Sequence, residues 1–254
     1  MIPEKVITVC FSPTNGSEKN AAAIASAFSC PKEHIDVTLP NFKGISFNEK
    51  TLVIFSSPCY GGRIPSVASE RFEAFRGSKT PCLLSVTYGN RDFDDSLAEL
   101  CDIVSRNGFI PIGAAALIGQ HTFGEIAVGR PDKNDLAEAE AFGHAVSATL
   151  EDGIKDISGK IPGNRPYKDG GKGGRFRPNT LSSCTSCGLC AANCPVGAIG
   201  DDFKTIDDNK CISCFRCIKQ CPSHAKVIDT PEYIEFAGAF SQKLSARREN
   251  MYFI

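Results

Sequence analysis

Eight cysteines towards the C-terminus fall into a pattern that few chemistries use. Cys184, Cys187, Cys190 and Cys194 follow the spacing C-x2-C-x2-C-x3-C and run into Pro195, and the pattern returns 27 positions later as Cys211, Cys214, Cys217, Cys221 and Pro222. Three cysteines spaced by two wrap the irons of one cubane within a tight loop, and the fourth thiolate comes from the other repeat. The spacing therefore predicts two [4Fe–4S] clusters, one on Cys184, Cys187, Cys190 and Cys221 and one on Cys211, Cys214, Cys217 and Cys194. A pair of structural zinc sites is the competing reading, but zinc frameworks separate their C-x2-C pairs by longer gaps. Gly188 lets the backbone approach the sulfides, and Pro195 and Pro222 turn the chain away. The neighbours Ala198, Ile199, Ile212, Ala225 and Ile228 suit a domain whose core is largely the clusters.

A second set of residues ends apolar runs. Ser12-Pro13-Thr14-Asn15-Gly16-Ser17 joins one such run to an Ala-rich helical stretch. Hydroxyls and backbone N–H groups at a helix N-terminus form an anion site, although Ser, Thr and Asn there also simply cap helices. Pro58-Cys59-Tyr60-Gly61-Gly62 and Tyr88-Gly89-Asn90-Arg91-Asp92 each offer one Tyr face and glycine for close backbone contact. A flat ring held between loops requires both. Asp92 reads as a cap for the helix starting near Phe93, and Asp94 as a contact to that ring. His121 sits on the same rim, either at the ring's edge managing protons or as a satisfied loop histidine. Outside the repeats, Cys10, Cys82 and Cys101 read as small buried hydrophobes, and Cys59 stands beside the proposed ring.

These loops need a scaffold. Strand patterns over residues 6–11, 34–39, 51–57, 81–87 and 109–118 alternate with helical patterns over 18–28, 65–76, 93–107 and 132–152. Short continuous apolar strands between helices predict an α/β fold with a doubly wound, five-stranded parallel sheet buried on both faces. Such sheets bind ligands beyond the carboxyl ends of their strands, where the three loops lie. Residues 1–157 form this domain. Residues 158–180 hold six Gly, three Pro and six Lys or Arg, and read as a linker, either a solvated tether or a docking strip for an acidic partner. Residues 181–230 form the cluster domain. The stripe of Tyr233, Phe236, Ala237, Phe240 and Leu244 predicts a packed C-terminal helix over 231–254.

Lys plus Arg total 28 against 29 Asp plus Glu, which gives no reason to expect nucleic acid or a membrane surface as partner. The N-terminus lacks the pattern of a signal peptide, and the most apolar stretch is about half of the ~20 residues that span a bilayer. With thirteen cysteines, the expectation is a cytoplasmic chain with reduced, metal-ligating thiols.

Residues 3–152 resemble flavodoxin. The resemblance implies FMN, with its phosphate on Ser12, Thr14, Asn15, Gly16 and Ser17. Its isoalloxazine would lie between Pro58, Cys59, Tyr60, Gly61 and Gly62 on one side and Tyr88, Gly89, Asn90, Arg91 and Asp94 on the other. The cysteine repeats resemble the small α+β bacterial-type ferredoxins. Taken whole, through the segments SPTNGSEKNA, PCYGGRIP, TYGNRDFDD and GRPDKND, the chain is similar to the flavodoxin–ferredoxin fusion family of anaerobes. That resemblance implies an electron relay between FMN and two clusters, serving an external redox protein such as a reductase or dehydrogenase. Two alternatives stay open: an FMN-dependent reductase of a small substrate, shaped by His121 and residues 119–130, and a redox sensor.

Overall fold

The structure, a computed structural model, describes residues 2–254. In chain order the elements are β1 (Lys5–Cys10), α1 (Gly16–Ser26), β2 (Lys32–Asp36), β3 (Ser46–Phe47), β4 (Thr51–Pro58), α2 (Ser66–Phe72), β5 (Arg76–Gly77), β6 (Thr80–Tyr88), α3 (Ser96–Arg106), β7 (Phe109–Ile118) and α4 (Lys133–Glu151). There follow β8 (Asn179–Thr180), α5 (Leu189–Ala192), α6 (Arg216–Gln220), β9 (Lys226–Val227), α7 (Pro231–Lys243) and β10 (Met251–Phe253).

The main sheet runs β10-β7-β6-β4-β1-β2. All its pairs are parallel except β10 on β7. Without β10 and the two-residue strands, the order is the 2-1-3-4-5 of a flavodoxin-like sheet. Side chains alternate strictly between its faces. Ile7, Val9, Val53, Phe55, Leu84 and Val86 pack with α2 and α3. Val6, Cys10, Leu52, Ile54 and Leu83 pack with α1 and α4. Cys10, Cys82 and Cys101 are fully buried in these two cores.

Two expectations need correction. Residues 158–180 are not a solvated tether; they form a strap laid along the sheet domain. Arg165 grips the Asp102 carboxylate at 2.8 and 2.6 Å, and Arg63 stacks over Tyr167 at 4.4 Å. The buried Asp95 carboxylate accepts the backbone N–H groups of Asn164 and Lys168, each at 2.7 Å. Glycine-rich composition here serves close approach rather than flexibility. The second correction concerns 231–254. The helix ends at Lys243, and the chain then extends to add β10 antiparallel to the open edge of β7. Tyr252 packs on Phe142 there, and the Asn250 side chain accepts the Ile118 N–H at 2.9 Å. An unpaired sheet edge is a strong template for an extended segment.

The cysteine repeats fold alike. Helices α5 and α6 stand 27 positions apart, as do left-handed residues Ser186 and Ser213, Gly188 and Phe215, and Gly197 and His224. In each repeat the fourth cysteine accepts a backbone N–H from four residues on, Ala198 to Cys194 Sγ at 3.3 Å and Ala225 to Cys221 Sγ at 3.2 Å. The antiparallel pair β8–β9 joins the start of the first repeat to the end of the second.

Candidate functional site

A cavity of about 500 Å³ opens at the carboxyl ends of β1, β4 and β6. Among the predicted residues, Ser12, Thr14, Gly16, Ser17, Pro58, Cys59, Tyr60, Gly61, Tyr88, Gly89 and Arg91 line it. In its floor the loop after β1 is preorganised. Ser12 Oγ accepts the Glu18 N–H at 3.1 Å, and the Thr38 hydroxyl accepts the Ser12 N–H at 2.8 Å. Asn15 takes a left-handed turn, with φ of 66°, into α1. Among the described residues, the N–H groups of Gly16 and Ser17 have no acceptor. Two free donors at the start of an eleven-residue helix are what an anion needs.

Four predicted residues do not line the cavity: Asn15, Gly62, Asn90 and Asp94. Asn15 shapes the turn. Asn90 is buried, and its amide donates to the carbonyls of Leu244 and Ala246 at 2.8 and 2.7 Å, so it clamps the C-terminal tail. Asp94 pairs with Arg91 and, at 3.2 Å, with Lys168. It packs where a side chain on Gly62 would be, at a φ of 92° that itself favours glycine. Asp92 caps no helix; its carboxylate accepts the Asp94 N–H at 3.1 Å within a turn, and α3 starts after Asp95.

The two tyrosines differ. Tyr88 is 2% exposed, edge-on to Phe93 with Arg248 above it, and only its margin reaches the cavity. Its buried hydroxyl has no partner among the described residues, an orphan that a polar ligand would satisfy. Tyr60 is held by backbone bonds to Arg63 and Gly171. Burial, and then the thiols of Cys214 and Cys211 nearby, push its pKa well up. Cys59 lies against the backbone of residues 92–93, and burial raises its pKa to about 11, so it stays a thiol.

His121 lies over Gly89, where any side chain would overlap its ring. Its Nδ1 accepts the Phe123 N–H at 2.8 Å, which leaves the proton on Nε2. Burial holds its pKa down to about 4, with Arg91 acting the same way and the Phe123 bond opposing. The imidazole is therefore neutral at pH 7.

The remaining walls come from sequence far away. The strap contributes Lys172, Gly173 and Gly174, the second cysteine repeat contributes Ile212, Ser213 and Lys219, and α7 contributes Phe236 and Phe240. Phe123, Phe176, Phe215, Tyr233, Phe236 and Phe240 form one aromatic cluster over this side. No local signal marks these residues as site residues; only the helical spacing of Tyr233, Phe236 and Phe240 hinted that they pack on something.

Behind this wall, Cys194, Cys211, Cys214 and Cys217 line a second, small apolar cavity with Ile212 and Arg216. Burial lifts the thiols of Cys214 and Cys217 to about 12; Cys214 feels Cys194 and Cys211, and Cys217 feels all three. Among the described residues, no three His, Cys, Asp or Glu converge tightly enough for a single metal ion. The four cysteines instead line one small apolar cavity, which suits a cluster. Arg216 lines this cavity, and its buried Nε has no partner among the described residues, a donor that cluster sulfur would accept. In the other group Cys190 feels Cys184. Burial opposes ionisation of Cys221, but hydrogen bonds from Ser223 and from the N–H groups of Lys226 and Ala225 carry its pKa down to about 7.

Two arginines lace the domains together. Arg71 donates to the Pro195 carbonyl at 2.6 Å, and Arg216 donates to the Pro13 carbonyl at 2.9 Å.

Residues 178–222 match the family described as 4Fe-4S dicluster domain. No curated protein matches the chain. Among solved structures, the rubredoxin oxygen:oxidoreductase of the anaerobe Desulfovibrio gigas is 13% identical with a TM-score of 0.41, over 60% of this chain and 38% of that one. The chain thus spans well under half of that protein's length. A flavodoxin from the domain Archaea is 11% identical with a TM-score of 0.38, over 58% of this chain and 99% of that one. The apo form of an NADH:FMN oxidoreductase is 11% identical with a TM-score of 0.40, over 63% and 96%. The chain joins a sheet domain whose own strand order is flavodoxin-like to a region, residues 178–222, that matches the 4Fe-4S dicluster domain. No helix among the described residues is long and apolar enough to cross a membrane.

Proposed function

We propose that this chain is an intramolecular electron relay, with FMN in the large cavity and two [4Fe–4S] clusters passing electrons between it and an external redox protein. One observation carries the reading: Ile212 lines both the large cavity and the cavity of Cys194, Cys211, Cys214 and Cys217. A single loop then separates flavin from cluster, with Tyr60 beside both. When bound, FMN exchanges one or two electrons and each cluster one.

The chain's own residues set the conditions. The free N–H groups of Gly16 and Ser17 hold the phosphate, and the His121 Nε2–H offers a hydrogen bond to the ring's polar atoms. The aromatic wall of α7 excludes water on the cluster side. Fusion supplies a high effective concentration, so transfer does not wait for collision. The alternative, a reductase of a small substrate, needs open space over the ring beside His121. Phe240 packs edge-on against that imidazole, with centroids 5.2 Å apart, which favours the relay.

The test is anaerobic purification followed by assay. The relay requires about eight irons and eight sulfides per chain with bound FMN, and slow turnover of small acceptors without a partner protein. Fast reduction of small acceptors by the chain alone would favour the reductase, and zinc without sulfide would remove both readings.

A further inference from the structure

Helix α6 of the second cysteine repeat sits directly above the loop after β1. Arg216 at its start donates to the Pro13 carbonyl at 2.9 Å. One turn on, Lys219 lines the large cavity beside Ser12, Thr14 and Ser17, and Lys19 of α1 lines it from the sheet domain. Both ammonium-bearing side chains line the one cavity, yet among the described residues neither has an acidic partner. Two exposed lysines lining one cavity from opposite domains, each without a counter-ion, make a place for an anion. The helix N-terminus beneath them, with the free N–H groups of Gly16 and Ser17, points at the same space.

We propose that Lys219 and Lys19 close the phosphate site from both sides of the domain junction, so that the dicluster domain itself helps to hold the flavin. The proposal rests on the reading of the large cavity as an FMN site. It has a consequence for regulation. Lys219 lies between Cys217 and Cys221, so a repeat that has lost its clusters also loses the position of this cation, and flavin affinity should fall with it.

The experiment measures FMN and riboflavin dissociation constants by fluorescence quenching on cluster-loaded chain, with iron content checked for each variant. Lys219→Ala and Lys19→Ala should each weaken FMN by about tenfold at low salt and leave riboflavin unchanged, and Lys219→Arg should restore most of the loss. Lys19→Ala lies outside the cluster domain, so it decides the matter even where Lys219→Ala depletes iron. FMN binding that is tight in wild type and unmoved in Lys19→Ala, or weakened equally for FMN and riboflavin, would overturn the clamp alone. A wild-type chain that binds neither flavin would overturn the reading of the cavity and the clamp with it.

Discussion

The two cysteine repeats share one backbone and meet opposite surroundings. In the first, Thr185, Ser186, Cys187 and Leu189 are exposed. At the equivalent positions of the second, Ser213 and Cys214 are buried and Ile212 and Arg216 half-buried, and Phe215, opposite the half-buried Gly188, is buried too. The left-handed residue is Gly188 in one and Phe215 in the other. A non-glycine residue in that conformation costs about 1 kcal/mol, a cost accepted where Phe215 enters the aromatic cluster against Phe123 and Tyr233. Ser213, also left-handed, donates to the strap carbonyls of Gly174 and Phe176. A duplicated unit has thus kept its metal chemistry in both halves and turned one of them into an interface. The second half faces the large cavity, and the first keeps Cys187 and Leu189 at the surface, which on the proposed relay is the side open to an external protein.

The largest effect should come from breaking one half at a time. Cys194→Ala should halve the iron and sulfide and remove the cluster next to the flavin, whereas Cys221→Ala should remove the outer one. If low-temperature EPR finds the same cluster lost in both variants, the crossed ligation is wrong. Exchanging the left-handed residues comes next. Phe215→Gly relieves the backbone but empties a buried site, so the chain should lose about 2–4 kcal/mol, the usual cost of a deleted core aromatic less the strain. Gly188→Phe enters no aromatic cluster and its Cβ would meet the Phe203 ring at 3.3 Å, so it should cost about 1–2 kcal/mol. Denaturant melts of cluster-loaded protein read both, and equal losses would erase the distinction between the halves.

Smaller again is a pH effect at the wall of the second repeat. His121 has a folded pKa near 4 against an ordinary 6.5, so the unfolded chain binds a proton that the native chain refuses. Stability should therefore be full above pH 6.5 and fall towards pH 4, by at most about 1.4 kcal/mol per pH unit for one proton. His121→Gln should flatten that part of the profile, and an unchanged slope would show that the decline belongs to other groups.

The parts legible in the sequence were those with a local signature. The cysteine spacing marks the cluster groups, and residues 12–17, 58–61 and 88–91 announce their loops through Gly, Pro and hydroxyls after apolar strands. The strand alternation is likewise periodic and short-range. Asn90 and Asp94 sit in the right loop, yet their side chains turn to partners more than seventy residues away, Ala246 and Lys168. The strap was misread because Gly and Pro look the same whether a segment is solvated or pressed flat against a neighbour. The strand β10 has only three residues, and its partner edge exists only after folding. Lys219 and Ile212 look like filler between cysteines until the second repeat is seen against the cavity.

The central claim is that electrons cross from flavin to the second repeat inside one chain. Laser photoreduction of the flavin in Cys221→Ala, which should retain only the inner cluster, tests it most directly. The account predicts first-order reoxidation of the flavin matched by cluster reduction, at a rate independent of protein concentration, and no such phase in Cys194→Ala. A rate that rises in proportion to protein concentration, or an equally fast phase in Cys194→Ala, would contradict it.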